Sequence, residues 1–226
     1  MNDAALRALP VGICAYILLT ILSVFLGELY VAALLPILKI ECQWLSLDGL
    51  LCDSLTLVTR NARHLVQLRS VTTTSIDFES GALAAGVALR SATLQAYVLC
   101  HPVVVYTLLA AWPVADWRRR VKLLLFGIPC VLIATSLDIP FVLSGSVRDV
   151  IVGELTPERV DADPLILYFR FMDGGGRFGL AIVAALITVV CVTRAWSAKL
   201  QARSAAQSTQ KQTPRLHTVS TKASPR

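Results

Sequence analysis

Charge is scarce in this chain. Asp, Glu, Lys and Arg make up 16% of its 226 residues, where a soluble domain carries about 25%. That scarcity excludes an ordinary soluble domain, and the 55% hydrophobic content excludes a disordered chain. Catalytic signatures are missing too. No Walker loop, HExxH helix, GxSxG elbow or dinucleotide fingerprint occurs, so no enzyme class is announced by motif and no cofactor is expected. Cys and His never cluster at zinc-ligand spacing, so no metal is expected. What remains is apolar length and a net charge of +6. In a membrane protein, such an excess asks which side of the bilayer holds the positive charge.

The apolar residues sort into four runs. Residues 11–27 carry no charge, and after Glu28 the run resumes to Leu38. This predicts one membrane-spanning helix from about Val11 to Leu34, with Pro36 near its exit. A cleaved leader preceded by Arg7 is the rival, but its apolar core would be ~7–15 residues and a cleavage site would follow promptly. Thr93–Trp112 predicts a second span, with Pro102 either kinking it or starting the helix. Val121–Ser144, with Lys122 at its start and Asp138 near its far end, predicts a third, and Phe178–Thr193 a fourth. The expected fold is a mainly α membrane protein with four transmembrane helices and a small extracytoplasmic domain containing a β-hairpin.

Charge orients these spans. With the N-terminus cytoplasmic, the inside segments hold Arg7; Arg118, Arg119, Arg120 and Lys122; and Arg194, Lys199, Arg203, Lys211, Arg215, Lys222 and Arg226. Only Asp3 and Asp116 oppose them. Basic short loops resist translocation, so both termini are expected in the cytoplasm of a bacterium, with the protein in its inner membrane. The run of Arg118, Arg119, Arg120 and Lys122 serves topology first, and anionic headgroups second. The basic tail has few aromatics, and topology accounts for its charge, so no nucleic acid is expected.

The expected plan is a tail and first span over 1–38, an extracytoplasmic segment over 39–92, and spans two and three with a basic turn over 93–144. An extracytoplasmic loop over 145–177, a last span over 178–194 and a basic tail over 195–226, disordered past about 204, complete it. Ser54–Arg60 and Leu65–Thr74 are rich in Thr, Val and Leu and predict a hairpin turning at 61–64. Their inside/outside alternation is imperfect. Residues 81–92 would be a third strand or an amphipathic approach to the second span. Cys42 and Cys52 share this segment; in an oxidising compartment they form a disulfide, and otherwise they are two free thiols.

In the second outward segment, 146–155 predicts an amphipathic helix on the membrane surface, and Thr156-Pro157 a helix start. Residues 170–177, RFMDGGGR, allow a close backbone approach at Gly174, Gly175 and Gly176. That stretch is either an anion cradle helped by Arg177 or a flexible connector. Ionisable residues at membrane depth are functional candidates by default. Glu28, His101 and Asp138 qualify, and with Arg170 and Arg177 from the RFMDGGGR stretch they make the candidate outward polar site. Cys100 beside His101 is no thiol–imidazole pair, because helix neighbours do not face each other.

The stretches HPVVVYTLLAAWP, WRRRVK and FMDGGGRFGL, in this order among the spans, resemble small four-span membrane proteins associated with bacterial exosortases, which process sorting signals on exported proteins. The resemblance implies an accessory to sorting or envelope assembly and no catalyst. The expected function is thus a non-catalytic accessory or assembly subunit, with membrane lipids and other membrane subunits or exported proteins as partners. The alternative is an enzyme or transporter acting on a lipid-linked or anionic substrate at the outward polar site.

Overall fold

The computed structural model describes residues 3–46, 49–78, 81–114 and 116–211. The side chains of Asp3, Arg7, Lys199, Arg203 and Lys211, and all of Arg215, Lys222 and Arg226, lie outside the description. The chain divides into two units, residues 1–189 and 190–226. The first holds the helices and the sheet; the second is the later part of the last helix.

Helix α1, Asp3–Trp44, runs unbroken through Pro10 and Pro36. It does not end near Leu34 as expected. The stripe Val31, Leu34, Leu38 and Cys42 stays on one helical face, and burying Leu38 and Cys42 against the sheet holds the last turns together. The sheet therefore starts at Leu50, well after residue 39.

Strands β1 (Leu50–Arg60) and β2 (Arg63–Thr72) form the expected hairpin. Its turn is tighter than expected, with only Asn61 and Ala62 between the strands, at φ 51° and 59°. Two left-handed residues match the twist of a two-residue hairpin. A bulge between Cys52 and Ser54 shifts the register, so the buried side chains pass from Leu50 and Cys52 to Leu55. This parity switch is why the alternation in the sequence looks imperfect. A short ribbon follows, β3 (Ile76–Phe78) with β4 (Gly81–Leu83), and then β5 (Ala88–Leu94), which pairs with β2 to give the order β1-β2-β5. Of the two readings of 81–92, strand is the outcome. The Thr72 hydroxyl donates to the Ala84 carbonyl at 2.7 Å and accepts from the Val87 amide at 2.9 Å, fastening the ribbon's return to β2.

Helix α2, Gln95–Ala111, leaves β5 directly and continues through Pro102. Asp116 accepts from the Arg118 amide at 3.0 Å and starts α3, Trp117–Leu155. The surface helix expected at 146–155 is the continuation of α3, with Val147, Ile151 and Val152 buried. Thr156-Pro157 does begin a helix, but a short 3₁₀ one, Pro157–Ala162, and the Thr156 side chain makes no cap. Asp163 caps α4, Pro164–Phe171, accepting from Leu165 and Ile166 amides at 2.9 and 3.3 Å. Residues Met172–Gly176 form a kink, with Gly175 non-helical at φ 116°, between α4 and α5, Arg177–Lys211. The expected outward loop is thus a helical path, and the tail is helical through Lys211 where disorder was expected past 204.

Among the described residues three helices are long and apolar enough to cross a membrane: Leu9–Trp44, Trp117–Leu155 and Pro164–Ala195. Four were expected. The remaining one, α2, is apolar but has 17 residues, because Thr93 and Leu94 are spent on β5. Helices α1 and α2 lie antiparallel: a Cβ on Gly27 would come 2.7 Å from Leu99, while Gly12 faces Ala111. One core joins helices and sheet, from Val31, Val98 and Ile139 through Leu143 to Leu55, Val66 and Leu68.

Candidate functional site

Of the five ionisable candidates, three meet. His101 on α2, Asp138 on α3 and Arg177 at the start of α5 converge in the bundle interior. His101 and Asp138 are 0% exposed and the Arg177 side chain 4%. Asp138 bridges the other two: Oδ2 lies 2.9 Å from His101 Nε2, and Oδ1 accepts from Arg177 Nε at 3.1 Å. Both contacts are charge-assisted hydrogen bonds to a carboxylate. The Asp138 carboxylate faces the Arg177 guanidinium, an opposite charge that makes the burial of both tolerable.

Tyr97 completes the arrangement. Its ring stacks on the Arg177 guanidinium at 4.1 Å, a cation–π contact strengthened by desolvation. Asp173 lies 3.8 Å from Arg177 Nη2. Tyr97 precedes His101 by one helical turn, so helical spacing alone places the two on one face. That signal was available in the sequence and was not used. Cys100 points elsewhere: it lines a cleft between α1 and α2, while His101 faces inward.

Glu28 and Arg170 stand apart from the trio. Glu28 Oε1 is 3.1 Å from His64 Nδ1, on the hairpin, and both side chains are exposed. Arg170 bonds Asp161 at 2.9 Å and Asp149 at 3.1 Å on the surface. Arg148 pairs with Asp163, the residue that caps α4. The single outward site expected of the five residues is therefore three separate places. The glycines at 174–176 form the kink between α4 and α5, with Gly175 in the left-handed region at φ 116° and open space around Gly174 and Gly175. A Cβ on Gly176 would come within 2.5 Å of the Phe171 ring, so close packing accounts for that glycine.

Cys42 and Cys52 are buried in the same core cluster as free thiols. Burial raises the Cys52 thiol pKa above its ordinary value; nearby Lys39 lowers it in part and Asp53 raises it further. Arg118, Arg119 and Lys122 are exposed on the first turns of α3, and Arg120 is half-buried. Among the described residues no three His, Cys, Asp or Glu side chains gather as metal ligands. No family model, curated protein or solved structure matches the chain.

Proposed function

We propose that this chain is a non-catalytic accessory or assembly subunit of a bacterial inner-membrane complex, serving the sorting or assembly of exported envelope proteins. The observation that carries the reading is the sealing of His101, Asp138 and Arg177. A reacting group must reach its substrate, and these three are closed inside the bundle, where Asp138 bonds both partners and His101 Nδ1 and the two Arg177 Nη atoms are buried without a hydrogen-bond partner among the described residues. They act as a staple holding α2, α3 and α5 in register. Meanwhile α1 leaves a long apolar face uncovered, including Leu18, Val24 and Phe25 at 65%, 75% and 78% exposed. Such a face suits lipid and other membrane-embedded subunits.

In this reading α2 is a fourth, short crossing, since 17 residues stand at the lower edge of the ~17–25 that span a bilayer. The Arg118–Lys122 turn and both termini are then cytoplasmic, and the sheet is extracytoplasmic. The test is photo-crosslinking from positions 18 and 25 in intact cells, followed by purification in mild detergent. A discrete protein adduct is expected. A stable monomer with no adduct and no co-purifying protein would count decisively against the proposal.

A further inference from the structure

The cleft between α1 and α2 has a volume of about 610 Å³, within the range of ligand sites. Its α1 wall extends from Tyr16 to Glu28, roughly 18 Å at 1.5 Å rise per residue. Along that length the walls are mainly apolar, with Val24, Val103, Val104 and Phe178 among them. Tyr16, Thr20 and Ser23 add hydroxyls along α1, but charge is concentrated at one end, where Glu28, Arg63 and His64 line the cleft. Glu28 engages His64 through Oε1, yet its side chain remains 61% exposed and open to a second donor. Arg63 is exposed and has no ion pair among the described residues.

An elongated apolar cleft with one charged mouth is complementary to an amphipath, its hydrocarbon chain along the helices and its head at the mouth. The mouth offers one guanidinium and one carboxylate, so the best-matched head carries both signs. Arg63 would take a phosphate through its planar fork. Glu28 would accept from a primary ammonium. A purely anionic head leaves Glu28 facing like charge, and a quaternary ammonium has no N–H to give it. We propose that this cleft binds a phospholipid whose head bears a phosphate and a primary ammonium, of the phosphatidylethanolamine type. The inference rests on α1 and α2 lying in the membrane and is independent of the accessory-subunit reading.

The test uses the full-length protein, extracted in mild detergent, washed, and mixed with phosphatidylethanolamine, phosphatidylglycerol or phosphatidylcholine of identical acyl chains. Bound lipid is counted by native mass spectrometry. Retention of phosphatidylethanolamine roughly ten-fold above the other two is expected, the factor for one charged hydrogen bond. Arg63→Ala should lower retention of all three, and Glu28→Gln should erase the preference for the primary ammonium. Both residues are exposed, so the variants should melt with the wild type. Ala96→Trp, which fills the cleft wall, should expel lipid whatever its head. Equal retention of the three lipids by the wild-type protein overturns the proposal, as does an unchanged preference in Glu28→Gln or a protein segment cross-linked in the cleft. Release of the chain from membranes by alkaline carbonate would instead overturn the membrane premise itself.

Discussion

Removing the Asp138 carboxylate should be among the most costly single changes available to this fold. Asp138 is 0% exposed and accepts from His101 at 2.9 Å and Arg177 at 3.1 Å. In Asp138→Ala the Arg177 guanidinium stays buried without its counter-charge, a situation that costs about 3–5 kcal/mol in proteins. Asp173, 3.8 Å from Nη2, offers partial relief, so the lower half of that range applies, ~3–4 kcal/mol. Against a typical total stability of ~5–15 kcal/mol this is a large share. Asp138→Asn keeps an acceptor and loses the charge, so about half that loss is expected. The double variant Asp138→Leu, Arg177→Met removes both ions and should recover most of the stability. Equilibrium unfolding in mixed micelles, followed by near-UV circular dichroism, measures all of these. Ordinary hydrogen bonds between membrane helices average only ~0.6 kcal/mol. An Asp138→Ala loss of that size, or single losses that simply add in the double variant, would refute the staple.

Other consequences are as direct. Gly145→Ala sets a Cβ 2.7 Å from the Leu165 carbonyl and should cost ~1–3 kcal/mol. Gly153→Ala, with open space around it, should be neutral or stabilising by ~0.4–1 kcal/mol; parallel thermal melts compare the two. Ala62→Gly relieves a left-handed alanine at φ 59° and should raise stability by about 0.5–1 kcal/mol, read in the same melts. Cys52 is 3% exposed and its thiol is held protonated by burial. It should therefore resist maleimide at neutral pH in the native protein and react once the chain is unfolded in denaturant. Because the folded pKa is raised, the Cys52 contribution is intact below the ordinary thiol value of 9.0. Stability is then lost as pH climbs from there toward the raised folded value. Cys52→Val should flatten that alkaline decline.

The sequence made the apolar spans and the hairpin legible because both announce themselves locally, one by absent charge and the other by Thr- and Val-rich runs. It nominated His101 and Asp138 on the cost of charge at membrane depth, and Arg177 beside the glycine stretch. The same two arguments nominated Glu28 and Arg170 and gave no way to separate them, since which helix faces meet is set by packing between distant segments. The RFMDGGGR stretch was legible only in its backbone freedom. The positive φ and the close approach that three glycines permit do occur, at Gly175 and Gly176, but between two helices. At β1 a single bulge at Asp53 hid the alternation that would have shown which face is buried.

The length of α1 has a mechanical meaning. Forty-two residues without a break make a rod of roughly 63 Å at 1.5 Å per residue, about twice the ~30 Å hydrocarbon thickness. Its far end is seated in the sheet through Leu38 and Cys42, so the sheet rides on a lever and not on a tether. Any tilt that lipids or a neighbour impose on the lower half is delivered to the strands as displacement, with little slack between. One residue inserted between Leu34 and Leu38 would turn the upper part by about 100° and unseat that load. A shift at one end of α1 therefore becomes a change of sheet orientation at the other.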